Sequence, residues 1–161
     1  MTALSRSNPR PPLYTAAERV RRDQSIWTVV QGVLAPVQFL AFAVSLVLVL
    51  RFLWTGNGYE AATLSVLIKT GLLFLIMVTG AIWEKAVFGQ YLFAPAFFWE
   101  DVFSFAVIAL HAAYLCAMST DALPPTGQML LALAAYAAYV INAGQFLHKL
   151  RLARRDTRVP A

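Results

Sequence analysis

The sequence has one cysteine, Cys116, so no disulfide can form within the chain and cysteine-ligated metal clusters are excluded. It is poor in charge as well: Asp, Glu, Lys and Arg make up 13% of 161 residues, about half the usual share of a soluble domain. It has no Gly-rich phosphate loop, zinc-type spacing or Ser–His–Asp set. Of its two histidines, His111 lies deep in an apolar run, about 16 Å from Glu100 by helical rise, and His148 lies at the end of the last run. The two cannot ligate one haem iron, which needs ligands at matching depth. No internal repeat or low-complexity tract occurs. What is plentiful is apolar: 60% of the residues are hydrophobic and the mean hydropathy is +0.64. A soluble domain of this size cannot hide that much apolar surface from water, whereas a lipid solvent removes the difficulty.

Four apolar runs are long enough to cross a bilayer, which takes about 20 residues of helix. They cover about 27–50, 61–83, 98–118 and 126–147. Pro36 lies inside the first and is expected to kink it. The segments Thr55-Gly56-Asn57-Gly58 and Asp121 to Pro125 read as turns. The basic residues cluster before the first run (Arg6, Arg10, Arg19, Arg21, Arg22) and after the last (Lys149, Arg151, Arg154, Arg155, Arg158). The net charge of +5 therefore reads as an orientation signal and not as a nucleic-acid surface. The turns at 55–60 and 119–125 hold no Lys or Arg. The expected fold is all-α: a polytopic bundle of four transmembrane helices with both termini cytoplasmic, in a bacterial cytoplasmic (inner or intracytoplasmic) membrane. Residues 1–23 form a basic tail, with a short surface helix near Thr15 to Arg22. Residues 24–148 form the membrane domain, and 149–161 a second basic tail. Ala109, Ala113 and Ala117 on the third span, and Ala134 and Ala138 on the fourth, read as close-approach faces.

Polar groups inside a span are costly unless they face the protein interior. Gln31, Gln38 and Ser45 recur every seven residues on one face of the first span. Glu100, Ser104 and His111 share a face of the third, and Tyr139, Asn142 and Gln145 are neighbours on the fourth. Lys69, in the second span, is expected to snorkel outward. Cys116 reads as a small packing residue. The densest region is 83–101, where Glu84, Glu100 and Asp101 stand among Trp83, Phe88, Tyr91, Phe93, Phe97, Phe98 and Trp99. An interfacial aromatic belt accounts for the tryptophans. It accounts less well for the phenylalanines beside three carboxylates, which suit a flat apolar ligand.

Three stretches carry a resemblance: Trp27 to Phe39 (WTVVQGVLAPVQF), Val78 to Phe103 (VTGAIWEKAVFGQYLFAPAFFWEDVF) and Ala135 to Phe146 (AYAAYVINAGQF). The chain resembles the 2-vinyl bacteriochlorophyllide hydratase (chlorophyllide 3-vinyl hydratase) family of bacteriochlorophyll biosynthesis. The resemblance implies a hydro-lyase that adds water to the C3-vinyl group of a magnesium chlorin, giving a 1-hydroxyethyl group. It implies no cofactor beyond the magnesium carried by the substrate. The partners expected are the tetrapyrrole, membrane lipid and neighbouring enzymes of the same pathway. Such hydration needs an acid and a group that orients or deprotonates water. The catalytic candidates are Glu100, favoured as proton donor, with Asp101 and Glu84 in support, and His111, placed to ligate the substrate magnesium or orient a water. The binding candidates are Trp83, Tyr91, Phe97, Phe98, Trp99, Gln31, Gln38, Tyr139, Asn142 and Gln145. The competing reading is a non-catalytic pigment-binding or assembly protein of the photosynthetic membrane.

Overall fold

The computed structural model of the chain describes residues 12–156. The tail segments 1–11 and 157–161, with Arg6, Arg10 and Arg158, lie outside the described residues. All regular structure among the described residues is helical: α1 (Ala16–Gln24), α2 (Ile26–Thr55), α3 (Tyr59–Phe88), α4 (Phe98–Ser119) and α5 (Pro125–Asp156).

The boundaries follow from local chemistry. Thr15 opens α1 with a capping box: its hydroxyl accepts from the Glu18 amide at 3.3 Å, and its own amide donates to Glu18 Oε2 at 2.7 Å. Ser25 ends α1 and caps α2, accepting from the Trp27 amide. Gly56 and Gly89 close α2 and α3 in the left-handed conformation (φ 71° and 86°), which glycine adopts without steric cost. Pro36 does not interrupt α2.

Four helices, α2 to α5, are long and apolar enough to cross a membrane. The 30 residues of α2 or α3 span about 45 Å, more than a hydrocarbon core of about 30 Å, so their ends extend into the headgroup layers. Many large apolar side chains of these helices face outward, among them Val29, Val33, Leu40, Val47 and Ile68. In lipid that exposure carries no penalty.

The helices form two antiparallel hairpins. In the first, Gln31 Nε2 donates to Thr79 Oγ1 at 2.7 Å while Ser45 and Ser65 are bonded at 2.8 Å, so α3 descends as α2 rises. In the second, α5 descends along α4, with Ser104 beside Asn142 and His111 beside Tyr136. The hairpins pack extensively within themselves and more loosely against each other, through α2–α5 and α3–α4. The core between them gathers Phe42, Val49, Val66, Leu73, Val107, Tyr114, Met129, Tyr136 and Tyr139.

Two sequence expectations are corrected, the second in part. Lys69 does not snorkel: it lies on the same buried stripe of α3 as Val66 and Leu73, fully enclosed. Its path to the headgroups is closed because that stripe faces α4 and α5. Of the expected alanine faces, Ala117 is buried and Ala138 packs against the core, but Ala109, Ala113 and Ala134 are exposed. Ala132 and Ala135 are the further small residues buried between the helices. The last helix continues to Asp156 and carries Lys149 and Arg151 on its last turns.

Candidate functional site

The carboxyl-bearing residues converge where α3 ends and α4 begins. Glu84 lies on the buried stripe of α3, one turn before its end, and Asp101 and Glu100 lie in the first turn of α4. All three are at least 95% buried. The link between the helices folds back so that Glu84 Oε2 accepts from the Ala94 amide (3.2 Å) and Asp101 Oδ2 from the Phe93 amide (2.7 Å). The two carboxyl groups are thereby held on one turn. A carboxylate only accepts, so a direct bond between them takes a proton on one of the pair. Phe93 adopts φ 60°, a left-handed conformation unfavourable for a phenylalanine, held by its amide's bond to Asp101 and by its ring against Phe98 and Phe105.

Glu100 is separate from the pair. Its Oε2 accepts no hydrogen bond, and its partner is the Lys149 ammonium at 3.6 Å. Lys149 also donates to the Ala96 carbonyl. The Glu100 carbonyl receives Asn142 Nδ2 (2.9 Å) and Ser104 Oγ (2.8 Å), which fixes the start of α4 against α5. Lys149, read from sequence as an orientation charge, is therefore part of the site. Its spacing of seven from Asn142 puts both on one helix face, a signal already in the sequence.

Aromatic rings wall the cluster on two sides. Trp83, Phe88, Phe97 and Phe146 form one group, with Tyr14 from the chain preceding α1 stacked on Phe88 at 5.8 Å. Phe93, Phe98, Trp99 and Phe105 form the other, and all four are exposed. Arg21 Nε donates to the Val87 carbonyl at 2.7 Å, tying α1 across the end of α3. Burial pushes the Tyr14 hydroxyl above its usual pKa, against the opposing pull of the Arg22 guanidinium. Tyr14 and Arg21 had no sequence signal pointing to the site, because their roles arise from contacts distant in the chain.

The other candidates lie elsewhere. Gln31 is spent on Thr79, and Tyr91 is exposed beside Lys85. Gln145 is half-buried with its Oε1 unpartnered, and Gln38 is buried with both amide atoms unpartnered. His111 is fully buried at mid-helix. Its Nδ1 faces the Val107 carbonyl (2.7 Å), which can only accept, so Nδ1 carries the hydrogen. Nε2 then takes a hydrogen bond from Lys69 Nζ at 2.7 Å, which leaves no free nitrogen for a magnesium ion. Lys69 Nζ lies 4.2 Å over the ring of Tyr139. Two surface grooves run along α2 and α3, one lined by Val29, Val33 and Leu75 and the other by Val37, Leu40 and Ile68. Both are apolar and suited to lipid chains.

The profile of the 2-vinyl bacteriochlorophyllide hydratase family matches residues 14–152, a range that includes both Tyr14 and Lys149. The chain belongs to that family. A 2-vinyl bacteriochlorophyllide hydratase of Rhodobacter capsulatus is 73% identical over 151 residues, covering 93% of this chain and 88% of the relative. One of Cereibacter sphaeroides is 68% identical over 157 residues, 97% of each. No solved structure matches the chain. The matched span of this hydratase-family member takes in every residue of the carboxyl cluster and its aromatic walls.

Proposed function

We propose that the chain adds water to the vinyl group of a bacteriochlorophyllide, as the names of its relatives describe, and that the chemistry occurs at the carboxyl cluster. The product is the 1-hydroxyethyl pigment and the reaction class is hydro-lyase. The observation that carries the reading is the buried Glu84–Asp101 pair, held by two successive backbone amides, beside a separately paired Glu100.

Vinyl hydration involves two proton movements. A proton goes to the terminal vinyl carbon, and the π electrons that form the new C–H bond leave a cation on the carbon next to the macrocycle, where conjugation spreads the charge. Water adds to that carbon and loses a proton. The Glu84–Asp101 pair, two buried carboxyls gathered on one turn, shares a proton and is the acid. Glu100, with a free Oε2 and the Lys149 ammonium beside it, is the carboxylate that orients water and takes its proton. Transfer between the carboxyls restores the starting state, so no net proton is consumed. The sequence-favoured donor, Glu100, thus takes the opposite role. Phe97, Trp83 and Phe98 are the walls for the flat ring.

The reacting end is the end with both basic clusters, and the positive-inside rule places it in the cytoplasm of a bacterial cell. Membranes containing the chain, incubated with the 3-vinyl pigment, should yield a product heavier by one water. Pigment retained by the protein but unchanged in mass would favour a binding or assembly role instead.

A further inference from the structure

We infer that Lys69 is a seat for a carboxylate arm of the bound pigment, in the interior between the two hairpins; the inference rests on the hydratase reading above. Lys69 is fully enclosed, and among the described residues no carboxylate lies within ion-pair distance of it. Its partners are His111 Nε2 and the rings of Tyr139 and Tyr136, at 4.2 and 5.2 Å. These partners donate electron density but supply no counter-charge. A buried ammonium without a counterion is costly, and an incoming carboxylate removes that cost.

A second observation points to the same place. Gln38 is 2% exposed and neither of its amide atoms has a partner. It lies one turn along the buried face of α2 from Phe42, whose ring packs on both Tyr136 and Tyr139. The Thr70 hydroxyl, adjacent in sequence to Lys69, is also buried and unpartnered. The cluster thus combines an unneutralised cation with idle amide and hydroxyl groups, a set that suits a carboxylate. A bacteriochlorophyllide carries a free carboxylic acid on a side arm across the macrocycle from its vinyl group. Asp101 and His111 are ten residues apart on α4, about 15 Å by helical rise. A tetrapyrrole with its acid arm spans such a distance. The loose contact between hairpins is the route in.

The test compares the free-acid pigment with its methyl ester, which keeps the ring and vinyl group but loses the charge. The wild-type chain should show a KM for the acid lower by ~10- to 100-fold, as expected for one charge-assisted hydrogen bond. Lys69→Met should raise the acid's KM to the ester's. Lys69→Arg, which keeps the charge, should retain the preference and shows that the position tolerates change. An unaltered acid preference in Lys69→Met overturns the inference, as does a wild-type chain without any preference. Loss of turnover on both pigments in Lys69→Met, with binding intact, also overturns it and moves Lys69 into the chemistry. Competition by a long-chain fatty acid that depends on Lys69 would assign the seat to lipid. If the wild-type chain hydrates neither pigment, the hydratase reading fails, and absorption titration of the same pairs still decides the anchor.

Discussion

Glu84 and Asp101 each spend one oxygen on the backbone of the 93–94 turn, which holds the two carboxyls together. Either carboxamide variant, Glu84→Gln or Asp101→Asn, preserves size and hydrogen bonding but removes the exchangeable proton. Each should lower turnover by at least ~10²-fold while pigment still shifts its absorption on binding. If the pair acts as a unit, the double variant should be little worse than either single one, and fully multiplicative losses would break the unit apart. Glu100→Gln should also slow turnover with binding retained. Near-normal rates in that variant would remove Glu100 from the water-activating role. Phe93 gives a separate, structural prediction. Its φ of 60° suits glycine, so Phe93→Gly should cost less stability than Phe93→Ala, by up to ~1 kcal/mol. Thermal inactivation of the two variants reads the difference. The acids and most of the aromatics were legible from residue types, because carboxylates among phenylalanines are unusual. Their pairing was not, since it depends on a turn whose geometry no local propensity specifies.

At the scale of elements, α1 is more than a tail. Its capping box shapes it, Arg21 binds it to the end of α3, and Tyr14, just before it, stacks on Phe88. Arg21→Ala should release α1, at a cost of about 1.5–3 kcal/mol for a charge-donated hydrogen bond. Limited proteolysis near Arg19 should then proceed faster, and equal cleavage rates would show that the tie contributes nothing. The sequence expectation of a short helix near Thr15 to Arg22 came close, because the Thr15–Glu18 capping box is a local signal. Span existence was legible as well, from apolar length alone. Helix faces were less so. Lys69 was read outward from its depth, although its stripe-mates Val66 and Leu73 mark it as inward. The alanine faces were right for Ala117 and Ala138 and wrong for Ala109, Ala113 and Ala134 for a related reason: in lipid both faces of a helix are apolar, so composition does not distinguish interface from exterior.

For the whole molecule, four spans would put both described ends on one side of the membrane, and the arginine distribution is the ground for our proposal that this side is the cytoplasm. Single cysteines introduced at Asn57 and at Ala161 in a Cys116→Ser background should label from opposite faces of the membrane. Labelling of both from outside would refute the orientation. The division into two hairpins has a consequence for how the chain is made. Synthesis delivers α2 and α3 first, and that half contains Lys69 and Glu84. Their partners His111 and Asp101, and the Tyr139 ring over Lys69, all belong to the half that follows. The nascent first hairpin therefore holds a cation and an acid without partners in lipid until the second arrives. Biogenesis has an intermediate for which partner-seeking polar groups, more than apolar area, bias the second hairpin to dock on the first.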